Sequence, residues 1–124
     1  MTARIVLADD AADVRDLLRL ALEMTGEFSI VAEAADGEAA VEAVRRHQPD
    51  VVVLDLSMPL LDGLGALPAI HRVAPACRIL VLSGYSDSGL RQAAVEAGAD
   101  AFLVKGLAPR ELVAAVRRLS APEV

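Results

Sequence analysis

Five short runs of almost wholly apolar residues, rich in Val and Ile, recur along this chain, and each leads into a segment of helical periodicity. The runs are Ile5-Val6-Leu7-Ala8, Phe28-Ser29-Ile30-Val31-Ala32, Val51-Val52-Val53-Leu54, Arg78-Ile79-Leu80-Val81-Leu82 and Ala101-Phe102-Leu103-Val104. A strand with one wet face would alternate apolar and polar residues. Continuous apolar runs instead belong to strands covered on both faces, as in parallel sheets. Alternation of such strands with helices predicts an α/β fold, a doubly wound five-stranded parallel sheet with helices on both sides.

The intervening segments carry helix signals. A helix is expected over about residues 12–25, with Val14, Leu17, Leu18 and Ala21 inward, Arg15, Asp16, Arg19 and Glu23 outward, and Gly26 as its stop. Asp36 is placed to cap a second helix that turns Ala40, Val41 and Val44 inward. The third is expected to begin at Leu64 or Gly65, leaving Pro68 in its first turn, where a missing N–H costs little. A fourth spans about residues 90–97. Pro109 opens the fifth, whose inner face is Leu112, Val113, Val116 and Leu119.

At 124 residues the chain can bury a core without disulfides, and Cys77 stands alone. No apolar run approaches the roughly 20 residues of a bilayer span, and the N-terminus lacks a signal-peptide pattern. A cytoplasmic location is expected, with no membrane contact. The net charge of −6 argues against direct contact with nucleic acid. Among the twelve basic residues Lys105 is the single lysine, which marks a position suited to a compact ammonium and not to a planar guanidinium.

On this frame Asp9 and Asp10 follow the first strand, Asp55 the third, Ser83 the fourth and Lys105 the fifth. All fall at the carboxyl ends of strands, where open α/β sheets bind ligands at the point of reversed strand order. Three carboxylates in one crevice repel one another unless a cation joins them, and an all-oxygen donor set suits a hard ion such as Mg²⁺. Three acids, a hydroxyl and an ammonium make a phosphoryl-transfer site. One carboxylate attacks phosphorus, while the metal, the ammonium and the hydroxyl neutralise charge on the phosphoryl oxygens. Each residue alone has an ordinary reading: a cap, a turn or a loop. Their recurrence at four strand ends carries the argument.

In order and spacing, Asp9-Asp10, Asp55 with Met58-Pro59 and Asp62-Gly63, Ser83-Gly84, Gly98-Ala99-Asp100-Ala101-Phe102 and Lys105 resemble the receiver domain of bacterial two-component response regulators. The resemblance covers essentially the whole chain, with residues 1–119 as the receiver and 120–124 as the start of a linker or tail. It implies a flavodoxin-like fold with strand order 2-1-3-4-5, and phosphotransfer from a sensor histidine kinase to Asp55 with Mg²⁺. Asp10 and Asp55 would ligate the metal by side chain, Ser57 by its backbone carbonyl and Asp9 largely through water. Ser83 would hydrogen-bond the phosphoryl group and Lys105 would pair with it.

The same resemblance implies a switch in which Ser83 moves inward, Phe102 turns into the space vacated, and the face of the fourth helix, fifth strand and fifth helix changes shape. Phe102 also has a plainer reading as core packing. Tyr85 would sit over the site or stand as an exposed loop aromatic. Gly106 replaces the Pro that many relatives carry after the lysine, so a trans bond is expected there. The Lys-Gly pair and the Leu-Ser-Met-Pro run lean toward the NarL/FixJ branch, whose members carry a C-terminal helix-turn-helix domain. A transcriptional output domain is accordingly expected outside this chain. A homodimer formed on phosphorylation would use either the fourth-to-fifth-helix face or the first and fifth helices.

Three other functions fit the residues less well. A phosphohydrolase with an aspartyl-phosphate nucleophile commonly needs a second acid two residues on, where Ser57 stands. A flavin or nucleotide module would meet repulsion between its phosphate and Asp9-Asp10. A degenerate docking scaffold does not fit the intact acidic, hydroxyl and ammonium set. The chain is therefore expected to be a phosphoacceptor signalling domain and not an enzyme in the ordinary sense.

Overall fold

The computed structural model describes residues 2–56, 63–84, 88–106 and 108–121. Strands β1 (Ala3–Ala8), β2 (Phe28–Ala34), β3 (Val51–Asp55), β4 (Arg78–Ser83) and β5 (Ala101–Val104) alternate with helices α1 (Ala12–Glu23), α2 (Gly37–His47), α3 (Gly63–Val73), α4 (Ser88–Glu96) and α5 (Pro109–Ser120). The sheet is parallel throughout, in the order β2-β1-β3-β4-β5. The doubly wound architecture expected from the apolar runs is the one observed.

Side chains alternate across a strand, so each apolar run feeds two cores at once. Ile5, Leu7, Val51, Val53, Leu80 and Leu82 pack with Leu22 of α1 and Leu112, Val113 and Val116 of α5. Val6, Val52, Leu54, Ile79 and Val81 pack on the other face with Ala40 and Val44 of α2, Leu67 and Ile70 of α3 and Ala94 of α4. Removing both faces of the strands from water supplies the main driving force for the fold. The strand order reverses between β1 and β3, where the chain passes from one side of β1 to the other.

Local signals explain several helix ends. The Asp36 carboxylate accepts the Ala39 N–H at 2.8 Å and caps α2. Gly26 and Gly98, after α1 and α4, adopt positive φ, which costs glycine nothing. Two expectations need correction. The α3 helix begins at Gly63, so Pro68 sits in its second turn and not its first. On α1, Val14, Leu18 and Ala21 are partly buried as expected, but Leu17 is exposed, Leu22 is fully buried, and Arg15 is turned inward. The helix rolls toward Leu18 and Leu22 because these pack on the sheet, while Arg15 finds polar partners at the sheet's carboxyl edge.

Candidate phosphoacceptor site

Strand parity gathers the reactive groups. Asp9 continues the series Ile5, Leu7, and Asp55 continues Val51, Val53, so both carboxylates leave the sheet on the α1/α5 side. Lys105 follows Ala101 and Leu103 on that side. Its Nζ lies 3.1 Å from Asp9 Oδ2 and 3.2 Å from Asp55 Oδ2. Asp9 and Asp55 are each 1% exposed, whereas Asp10 is exposed. One carboxylate oxygen from each of Asp9, Asp10 and Asp55 falls within a 4.8 Å cluster. Ser83, at the end of β4, is fully buried, and its backbone carbonyl accepts the Lys105 N–H at 2.7 Å. That bond ties the lysine's backbone to the serine's strand.

The electrostatics are unbalanced in one direction. Burial pushes the Asp9 carboxyl above the usual carboxylate range, and the nearby Asp55 adds to it. The Ala11 N–H and the Lys105 ammonium pull the other way without winning. For Lys105 burial opposes the charge, but the pull of Asp9 and Asp55 prevails and raises its pKa. Three carboxylates against one ammonium leave two negative charges in a site whose donors are all oxygen. That chemistry fits a divalent hard cation.

Phe102 and Ser83 have the opposite parity to the acids. Phe102 is 6% exposed and packs in the core on the α2–α4 face, with the Arg91 guanidinium of α4 at 5.6 Å from its ring centroid. Ser57 and Tyr85 lie outside the described residues. The Lys105–Gly106 bond is trans, as expected, and Gly106 takes a positive φ of 92°. Cys77 is buried, and burial, helped by Asp100, pushes its thiol up to about 12, which fits a packing role. Arg15 is the residue that sequence reasoning misplaced. Its Nη1 donates to the Asp9 carbonyl at 2.5 Å. The available signal was the pair Arg15 and Arg19, one turn apart beside the acidic loop.

The comparisons with known proteins agree with this geometry. Residues 5–117 match the model of the response regulator receiver domain, and the chain belongs to that family. It is 36% identical over 118 residues to the chemotaxis protein CheY of Bacillus subtilis, covering 95% of this chain and 98% of CheY. It is 40% identical over 116 residues to the transcriptional regulatory protein PrrA of Mycobacterium tuberculosis, covering 94% of this chain but 49% of PrrA. It likewise spans less than a third of the protein-glutamate methylesterases that it matches. Among solved structures, the signal receiver domain of NarL from Mycobacterium tuberculosis superposes with a TM-score of 0.92 at 34% identity, covering 96% of both chains. The chain is thus a receiver domain of the two-component response regulators, a signalling class shared by CheY and NarL. Among the described residues no helix is long and apolar enough to cross a membrane.

Proposed function

We propose that this receiver takes a phosphoryl group from a histidine kinase onto Asp55, and that Mg²⁺ is required. The supporting observation is that one ammonium, Lys105, bridges buried Asp9 and Asp55 while Asp10 completes an acidic cluster at the strand ends. Asp10 and Asp55 would hold the ion by side chain, Ser57 by its carbonyl, and Asp9 through water. Receiver domains bind Mg²⁺ at an acidic pocket, and the ion supplies charge neutralisation for the attacking carboxylate and the incoming phosphoryl oxygens.

The chain's own groups have distinct tasks. An Asp55 carboxylate oxygen forms the bond to phosphorus as the bond from phosphorus to the donor breaks, and the donor leaves with its electron pair. Lys105, 3.2 Å from Asp55, would pair with the new negative charge. Ser83 would donate its hydroxyl to a phosphoryl oxygen from the α4 side of the sheet. That movement would reach Phe102 on the same side and reshape the α4–β5–α5 face. Phe102 has no hydroxyl, so its inward position rests on packing and on Arg91.

Control of transcription through an output domain outside this chain is the reading that the likeness to PrrA supports. Of the two dimer faces, the α1–α5 side carries more of the exposed apolar surface, with Leu17, Leu20 and Met24 along a groove that reaches Pro109, against Val95 on α4. The test of the switch chemistry is incubation with acetyl phosphate, with and without Mg²⁺, followed by intact mass. A single phosphoryl adduct that needs Mg²⁺ and vanishes in Asp55→Asn is expected. Absence of any adduct, together with no uptake of beryllofluoride, would leave a docking scaffold as the better reading.

A further inference from the structure

Asp9 is anchored at three points of its backbone and side chain. Its N–H donates to the Ala34 carbonyl at 3.0 Å, and its Oδ1 accepts the Ala11 N–H at 2.9 Å. Its carbonyl, the third point, accepts the Arg15 guanidinium at 2.5 Å. That carbonyl belongs to the peptide joining Asp9 to Asp10, so holding it sets the peptide plane and the direction in which Asp10 leaves the backbone. Arg15 is in turn held, its Nε donating to Glu33 Oε1 of β2 at 3.1 Å. Glu33 also receives Arg19, one turn further along α1. The Arg15 and Glu33 side chains are only 17% and 20% exposed, so this pair is sheltered from the screening that weakens surface pairs.

We propose that Arg15 is a positioning residue for the acidic pair. Its planar fork, braced by Glu33, fixes the Asp9–Asp10 peptide so that the Asp10 carboxylate meets Asp55 in one cation-binding cluster. The proposal rests on the reading that this pocket takes Mg²⁺. It makes a prediction opposite in sign to plain electrostatics. A guanidinium beside a cation site repels the cation, so removal of its charge alone would tighten Mg²⁺ binding. Loss of positioning would weaken it, by about 10-fold if Arg15 acts like other outer-shell partners of metal ligands.

The experiment is calorimetric titration of MgCl₂ into the full chain and four variants, with amide hydrogen exchange of the same proteins in EDTA. Arg15→Met is expected to weaken Mg²⁺ about 10-fold and to speed exchange of the Ala11 amide. Arg15→Lys, which keeps the charge without the two-sided fork, is expected to move the same way. Glu33→Gln should give a smaller change of the same sign. Arg19→Met, which reaches Glu33 but not Asp9, should stay within about twofold of the parent. Unchanged or tighter Mg²⁺ binding in Arg15→Met would overturn the proposal, as would an equal loss in Arg19→Met. If the parent itself took up no Mg²⁺, the metal reading would fail. Exchange in EDTA would still decide the clamp, and unchanged Ala11 protection in both Arg15 variants would reject it.

Discussion

Both edges of the sheet carry aspartates beside strand ends, and the two edges treat them in opposite ways. At the amino-terminal edge, the Asp50 carboxylate accepts the Arg4 N–H at 2.7 Å while the Asp50 N–H donates to the Arg4 carbonyl at 2.8 Å. Asp100 repeats the arrangement with Ile79, accepting its N–H at 2.8 Å and donating to its carbonyl at 2.8 Å. These acids staple neighbouring strands into register and remain partly exposed. At the carboxyl edge, Asp9 and Asp55 are buried and crowd toward one ammonium. Where the backbone or solvent satisfies a carboxylate, the residue stabilises. Where two carboxylates share a single cation, stability is held back and binding capacity is gained.

That contrast can be broken in order of expected effect. Lys105→Met should be the most damaging at the carboxyl edge, because it leaves buried carboxylates uncompensated. A loss of about 2 kcal/mol is expected, discounted from a fully buried pair since Lys105 is itself 31% exposed. Added Mg²⁺ should restore much of it in urea unfolding, and no recovery would show that the site's charge is not what was lost. At the opposite edge, Asp100→Ala should cost about 1–2 kcal/mol by leaving the Ile79 N–H without its acceptor. That loss should be the same with and without Mg²⁺; a Mg²⁺-dependent loss would dissolve the distinction between the edges.

Asp9→Asn should do the reverse of both. Removing one of the crowded charges should raise the metal-free protein's stability by on the order of 1 kcal/mol at neutral pH. The gain should disappear when Mg²⁺ is present, and a destabilised metal-free variant would refute the repulsion argument. The smallest effect concerns Cys77, near the amino-terminal edge. Its thiol is pushed from 9.0 up to about 12, so the folded state keeps its proton where the unfolded state loses it. This contribution therefore erodes stability only as pH climbs above 9.0, and levels off past about 12. Iodoacetamide at pH 8 should leave Cys77 unmodified in the native protein and label it readily in urea, as read by intact mass. Rapid native labelling would contradict its packed environment.

The features legible in advance were those written locally. Apolar runs marked every strand, Asp36 marked its cap and Pro109 its helix start, and the inner face of α5 was read correctly from Leu112, Val113 and Val116. On α1 the expectation fails at Leu17, because the helix carries more apolar residues than one face can hold. Leu17, Leu20 and Met24 compete with Leu18 and Leu22, and periodicity cannot choose between two overlapping stripes. Arg15 departs from its expected solvent position for a different reason: charge alone does not reveal that a carbonyl and a carboxylate wait at the sheet edge. A start at Leu64 or Gly65 puts Pro68 one turn too early, although Asp62, a cap-type residue, directly precedes Gly63 in the sequence.

The sequence by itself determined the five strands, their parallel burial and the positions of Asp9, Asp10, Asp55, Ser83 and Lys105 at strand ends, because hydrophobic period and turn chemistry act over a few residues. Tertiary structure alone decided that Asp9, Asp55 and Lys105 leave the sheet on one side, that Ser83 and Phe102 leave on the other, and that Arg15 grips the Asp9 carbonyl. Those outcomes depend on strand order and on how α1 rolls against its neighbours. Both are settled by the packing of segments far apart in the chain, which no local pattern encodes.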